Sequence, residues 1–180
     1  MFILYAIPLG ILAGYGLGGR LDRLGDIGFR WGWLALAGLA VQIVLFSGPV
    51  ADAVGSAGPV IYVASTVAVF VAVLRNLAIP GIALVAIGAA SNLLAIAANG
   101  GVMPASPDAV AALGAPDGVG FSNSVVMADP ALRPLTDIFA LPTWVPFANV
   151  FSVGDVLIGL GVVVVIAAGM RTPPRATTTV

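Results

Sequence analysis

The sequence predicts an all-α protein: a polytopic transmembrane helical bundle of about five spans with a long ordered extracytoplasmic loop. Composition is the first indication. Of the 180 residues, 60% are hydrophobic and 8% are charged, whereas a soluble domain carries about 25% charged residues. The second indication is the high mean hydropathy of +1.11. The third indication is a set of apolar runs that approach the length of about 20 residues needed to cross a bilayer.

The predicted spans are apolar runs with no charged residue in their middle. They are residues 2–18, 31–46, 59–74, 77–98 and 153–170. Residues 1–170 are therefore expected to form one membrane domain, and residues 171–180 a cytoplasmic tail. A signal peptide carries its positive charges before its apolar run. Arg20 and Arg23 instead follow the first run, so we expect that run to be a retained membrane helix.

The arginines predict the orientation of the bundle. If there are five spans, six arginines share one side of the membrane: Arg20, Arg23, Arg30, Arg75, Arg171 and Arg175. Only Arg133 falls on the opposite side. Cytoplasmic loops are enriched in Lys and Arg, so the N-terminus is predicted outside and the C-terminus in the cytoplasm. The abundance of Ala, Gly, Val, Arg and Pro, without Lys, is typical of a GC-rich bacterial genome, which places the protein in a bacterial inner membrane.

Two features inside the spans predict contacts between helices. Gly10, Gly14 and Gly18 form two overlapping GxxxG patterns, which allow another helix backbone to approach closely. Internal packing is the favoured interpretation. The alternative is a contact with another membrane protein or a homo-oligomer. Gln42 lies deep in the second span, where its amide must bond to another helix or line a polar cavity.

Residues 99–152 form the predicted outer loop. The loop contains aromatic residues, so its composition is not that of a disordered segment. Ser106, Pro107 and Asp108 are typical of the start of a short helix, and Gly114 of its end. Residues 135–151 are apolar and aromatic. We expect them on the outer membrane surface or over the bundle mouth; a re-entrant loop is the less favoured alternative.

A set of polar residues is expected to converge at the outer mouth of the bundle. The candidates are Asn92, Asn99, Asp137, Asn149, Ser152 and Asp155. Asn92 and Asn99 are seven residues apart and share one helix face. Ser152 and Asp155 resemble a capping box at the start of the last span. The favoured interpretation is structural: the set caps helix ends and ties down the outer loop. The alternative is a site for a small ligand, cation or lipid headgroup, with Asp155 as its principal residue.

Absent residue types exclude several functions. The chain has no Cys and no His, and its charged residues are all Arg or Asp. Nucleophilic catalysis with a His base, haem ligation by His and the usual zinc sites therefore lack their residues. No metal or cofactor site and no catalytic residue is predicted. No basic patch is present to bind nucleic acid. We expect a non-enzymatic protein that is embedded in the lipid bilayer.

Two motifs resemble a known family. NGGVMP covers residues 99–104, and NVFSVGDVLIGLG covers residues 149–161. Together they resemble an uncharacterised bacterial family of small multi-pass membrane proteins that contain a domain of unknown function. The resemblance extends over nearly the whole chain. It implies a membrane location and no particular activity, so it assigns no catalytic residue.

Two functions remain open from the sequence. The leading hypothesis is a scaffold or accessory subunit of a membrane complex. The alternative is a small lipid or solute binding or transport protein that uses the polar set at the outer mouth. A polar cavity that reaches Gln42 and Asn92 would favour transport. A dry bundle with an exposed apolar outer loop would favour a partner protein.

Overall fold

The computed structural model describes residues 2–47, 50, 53–114 and 124–171. Within these residues the chain is mostly helical. The α-helices are α1 (Ala6–Gly16), α2 (Gly32–Leu45), α3 (Gly58–Leu74), α4 (Ile82–Ala98), α5 (Pro107–Ala112) and α6 (Val153–Gly169). Short 3-10 helices cover Phe2–Tyr5, Leu21–Asp26, Gly55–Ala57 and Arg133–Leu135. The predicted tail lies outside the described residues from residue 172 onward.

Among the described residues, one helical segment is long and apolar enough, by length and composition, to cross a membrane. It is Gly55–Leu74, with 20 residues and a hydropathy of 2.2. The shorter apolar helices of 10–17 residues are Phe2–Gly16, Gly32–Leu45, Ile82–Ala98 and Val153–Gly169. The fourth predicted run begins at residue 77, yet its helix begins only at Ile82. The start is displaced because Gly81 has a left-handed backbone, with φ of 91°.

Helix α6 lies between α1 and α4. On the α1 side, a Cβ on Gly10 would meet Ile166, and one on Gly14 would meet Met170. Both glycines therefore serve internal packing, which was the favoured interpretation. Gly18 ends the pattern differently. It has a φ of 76°, and no atom lies within 4 Å of the position of its Cβ.

Glycines also bring α4 and α6 together. A Cβ on Gly88 would collide with the backbone of Gly154, and a Cβ on Gly161 would lie 2.8 Å from the carbonyl oxygen of Gly81. The two backbones are therefore almost in contact. Such an approach is possible only where side chains are absent. It places Asn92 of α4 directly beside the first turn of α6.

The remaining helices complete the bundle. α3 packs against both α2 and α4. Gly38 of α2 lies against Val69 of α3, and the amide of Gln42 donates a 3.2 Å hydrogen bond to Thr66 Oγ1. The sequence analysis predicted such a bond to another helix for Gln42. A buried cluster then joins α2, α3, α4 and the outer loop; it comprises Leu45, Tyr62, Ala95, Ile96 and Met103.

Connections that contain Arg20, Arg30 and Arg75 meet at one end of the bundle. The backbone amide of Arg20 donates to the carbonyl of Met170 at 2.8 Å. The side chain of Asn76, which is 3% exposed, bonds both the N–H and the carbonyl of Arg30. Arg75 stacks over Trp31, with 5.8 Å from its guanidinium carbon to the ring centroid. The loops that follow α1, α3 and α6 thus meet at this end.

The described parts of the predicted outer loop, residues 99–114 and 124–152, lie at the opposite end. Two small sheets organise it: β1 (Met103–Ala105) pairs in parallel with β2 (Ser124–Val126), and β3 (Phe139–Ala140) pairs antiparallel with β4 (Val150–Phe151). The all-α prediction omitted these strands, because they have two or three residues and pair across long stretches of chain. The prediction of a short helix after Ser106 is confirmed by α5, and Gly114 follows it with φ of 64°.

Candidate functional site

A closed ring of hydrogen bonds joins α4 to the start of α6. Ser152 Oγ accepts from the backbone N–H of Asp155 at 3.0 Å and donates to Asn92 Oδ1 at 2.8 Å. Asn92 Nδ2 donates to Asp155 Oδ1 at 2.8 Å, and Asp155 Oδ2 accepts from the N–H of Ser152 at 3.1 Å. The predicted capping box is thereby confirmed. Asn92 extends it into a contact between two helices.

Asp137 reaches the same region from the outer loop. Its backbone lies beside β1, because its N–H donates to the carbonyl of Pro104 and its own carbonyl accepts from Ser106, both at 2.9 Å. On the other side of β1, Ser124 begins β2. Ser124 Oγ donates to Asp137 Oδ2 at 2.5 Å across the intervening strand. A parallel arrangement of three chain segments therefore fixes the carboxylate.

The Asp137 carboxylate is buried, and few interactions offset the cost of burying its charge. The residue is 4% exposed, and burial raises the pKa of its carboxyl from the ordinary value of 3.8 to about 6. The hydrogen bond from Ser124 opposes this shift of the pKa, while the negative charge of Asp155 adds to it. Among the described residues, Ser124 is the one hydrogen-bond donor to this carboxylate. Its Oδ1 thus accepts no hydrogen bond there.

A cavity of about 290 Å³ connects these groups. Asp137 and Asp155 both line it, and it extends down to Gln42 and Asn92. Its apolar wall includes the aromatic side chains Phe2, Tyr62 and Phe70, together with Ile96 and Ile158. The volume is near the lower end of the range of about 300–1,000 Å³ that is typical of small-molecule pockets. Apolar walls with a few convergent polar groups are also typical of such pockets.

Asn149 completes the polar part of the wall. Its Nδ2 donates to the carbonyl of Val150 at 2.6 Å, whereas its buried Oδ1 has no hydrogen-bond partner. An acceptor left in this state costs free energy unless something supplies a donor. Asn149 lines the cavity. The cavity therefore contains two acceptor oxygens, on Asp137 and Asn149, without a protein donor in the described chain.

The structure does not bring every candidate residue to the cavity. Asn99 instead closes α4: its Nδ2 donates to Ala95 and Ala131, and its Oδ1 accepts from the N–H of Ala131. It does not line the cavity, and its contacts fit the structural interpretation. Ser152 is fully buried and reaches the cavity only through Asn92 and Asp155. The other four candidates line the cavity.

Several residues of the wall were not predicted from the sequence. Ser124, Tyr62 and Thr66 were not predicted as site residues. Thr66 could have been found, because it is a polar side chain in an apolar helix opposite Gln42. Ser124 carried no comparable signal, since its place depends on pairing with a strand about twenty residues away. Within the described residues, no group of three or more metal-binding side chains occurs.

The chain belongs to a family of unknown function, DUF5317, whose model matches residues 26–167. The match covers most of the chain, from the first loop to the end of α6. It confirms the resemblance to a domain of unknown function that the two motifs indicated. No curated protein and no solved structure matches the chain. The family assigns no activity, so a function must be argued from the cavity itself.

Proposed function

We propose that this is a multi-pass protein of the bacterial inner membrane whose cavity at the outer mouth binds a small solute for capture or transport. The observation that carries the proposal is the continuity of the cavity. It extends from Asp137 in the outer loop to Gln42 within α2. A cavity that carries polar groups and reaches Gln42 and Asn92 is the feature expected to favour transport over a scaffold role.

Exposed apolar side chains support the membrane location. Leu12 is 68% exposed, Ile43 74% and Val60 71%, and these residues come from three different helices. Large exposed apolar surfaces are rare on soluble monomers, whereas lipid covers them without cost. α1, α2, α4 and α6 are short for full spans, and a thin local bilayer would accommodate them.

The arginine-rich end of the bundle supports the proposed orientation. Arg20, Arg30 and Arg75 lie in loops that contact one another at that end. With the positive-inside rule, this end is cytoplasmic. The outer loop and the cavity mouth then face the outside of the cell. A solute would therefore enter the cavity from the periplasmic or extracellular side.

Native mass spectrometry tests this function directly. The protein is released from its own membranes in mild detergent, and its mass is compared with that of an Ala89→Phe variant. Ala89 lines the cavity, so a phenyl group there would fill part of it. We expect a bound small-molecule mass on the wild type that the variant lacks. Ala97→Phe is the matched control, because Ala97 is exposed on the same helix.

Retention of the same bound mass by the Ala89→Phe variant would contradict the proposed function. It would place the molecule elsewhere on the protein. Absence of any bound mass from the wild type, at a detergent concentration that preserves the fold, would also argue against it. In that case the accessory-subunit hypothesis gains weight.

An exposed aromatic residue favours the accessory-subunit role as the second candidate. Trp144 in the outer loop is 83% exposed, and exposed Trp is enriched at protein interfaces. A membrane interface would accommodate it equally well. In the same mass spectra, a stoichiometric protein partner that is lost from a Trp144→Ser variant would support this role. Trp33→Ser is the control, because Trp33 is 70% exposed on another part of the chain.

A further inference from the structure

We infer that the cavity selects a small organic cation, namely a primary ammonium group attached to a compact apolar body. This inference rests on the proposed function, since it names the class of solute that the cavity binds. It follows from three properties of the cavity wall: its charge, its free acceptors and its aromatic surface.

The charge of the wall is negative and uncompensated. Asp137 and Asp155 both line the cavity, and no Arg from the described chain does so. The hydrogen bonds to Asp155 come from neutral groups, the Asn92 amide and the Ser152 backbone. Neither of these groups carries a positive charge. Burying the Asp137 carboxylate without a cation is costly, and Asp155 adds a second acidic side chain to the wall, so a positively charged ligand is the solute that this wall favours.

The free acceptors identify the kind of cation. Asn149 Oδ1 is buried and accepts no hydrogen bond from the described chain, and Asp137 receives a side-chain hydrogen bond from Ser124 at Oδ2 alone among the described residues. An ammonium group has three donors and no acceptor, so it suits a wall whose free polar atoms are acceptors. A quaternary ammonium has no N–H to donate and would leave them unsatisfied. An anion or a carbonyl compound would add further acceptors to a wall that already has too many.

The rest of the wall favours an organic cation over a bare metal ion. Calcium requires six to eight oxygen ligands, and magnesium requires near-octahedral oxygen geometry. The cavity instead combines its few polar groups with the aromatic side chains Phe2, Tyr62 and Phe70. Aromatic faces attract cations and cover apolar groups. A cavity of about 290 Å³ has room for an ammonium group with a small ring or branched chain.

The test uses benzylammonium and its neutral isostere benzyl alcohol as probes. Each is dialysed to equilibrium against the full chain in lipid nanodiscs, with empty nanodiscs to subtract partition into lipid. At about pH 7.5 we expect saturable binding of benzylammonium that is at least about tenfold tighter than that of benzyl alcohol. Asp137→Asn should remove most of this preference. Asp129→Asn, in an exposed part of the outer loop, should retain it.

The affinity should also fall with pH. Lowering the pH to about 5 leaves benzylammonium charged but protonates about nine tenths of an acid whose pKa is about 6, so we expect about tenfold weaker binding. The other titratable side chains that line the cavity are Asp155 and Tyr62. Strands β1 and β2, which adjoin Asp137, contain no charged residue, and the nearby Arg133 is exposed. Asn149→Ala is a second variant that does not alter charge, and it should weaken binding of benzylammonium.

The outcomes separate the inference from the proposed function. Equal binding of benzyl alcohol and benzylammonium, both abolished by Ala89→Phe, would overturn the cation preference and leave a solute-binding cavity. Benzylammonium binding that Asp137→Asn and Asn149→Ala leave unchanged would also overturn it. Binding of neither probe above empty nanodiscs would overturn the cation inference as well. The proposed function would then be tested separately by native mass spectrometry, in which the wild type should carry a bound mass that the Ala89→Phe variant lacks.

Discussion

Replacing Asp137 by Asn removes a buried negative charge while preserving the shape of the side chain. Burial raises the pKa of the folded-state carboxyl from 3.8 to about 6. The folded protein therefore binds the proton more tightly than the unfolded chain does. Stability from this group is complete below about pH 4, falls as the pH rises to about 6, and remains at the lower level above it.

The magnitude follows from the shift of the pKa. A difference of about two units, at about 1.4 kcal/mol per unit, corresponds to about 3 kcal/mol between the two pH limits. Since Asp137 is 4% exposed, solvent screens little of this cost. Asn has no charge to bury. Relative to the wild type, the variant should therefore gain about 3 kcal/mol of unfolding free energy between about pH 4 and about pH 7.5.

The assay measures unfolding of the protein in mild detergent by its tryptophan fluorescence. It is carried out at about pH 4 and about pH 7.5, without added ligand. Asp129→Asn removes an exposed carboxylate from the same outer loop and should follow the wild type at each pH. The reasoning would be refuted if Asp137→Asn showed the same pH dependence as the wild type. It would also be refuted if this variant were less stable at about pH 7.5, because the carboxylate would then be favourably compensated in the fold.

Three further predictions concern the helix contacts and the orientation. Ser152→Ala removes the side-chain cap of α6 and its bond to Asn92, and should lower the unfolding free energy by at least about 1 kcal/mol in the same assay. Gly154→Ala places a Cβ against Asn92 and should cost about 1–3 kcal/mol. Gly16→Ala is the control and should not show this loss, because a Cβ at Gly16 would meet no atom within 4 Å. Equal losses from both glycine variants would contradict the close α4–α6 contact. For the orientation, Cys variants at Asp22 and Ala128 are labelled in intact cells with an impermeant maleimide; labelling at position 128 alone is expected, and labelling at position 22 would refute the proposed topology.

The helices and caps were predictable because their signals are local. An apolar run, a Ser followed three residues later by Asp, and a Gly after a short helix each depend on neighbours within one or two turns. The start of α4 was harder to place. The run from residue 77 is apolar, but Asn76 and the left-handed Gly81 hold its first residues in turns. Hydropathy does not report such backbone geometry.

The residues of the cavity were partly predictable for the same reason. Asn92, Asp155 and Gln42 are polar residues in or beside apolar helices, and this contrast reveals them in the sequence. Ser124, which was missed, is a polar residue in a loop that contains many. Its placement depends on a small sheet whose two strands lie about twenty residues apart in the sequence. Pairing at that distance has no signature in a window of neighbouring residues.

The two carboxylates in the cavity illustrate why the sequence pointed first to Asp155. Its position at the start of a predicted helix made it conspicuous, but that position also supplies it with hydrogen bonds from Asn92 and Ser152. Both carboxylate oxygens of Asp155 therefore have hydrogen-bond donors within the fold. Asp137 has a single hydrogen-bond donor within the described chain and is almost completely buried. A ligand therefore gains most by contacting Asp137, while Asp155 links the ligand site to the packing of α4 against α6.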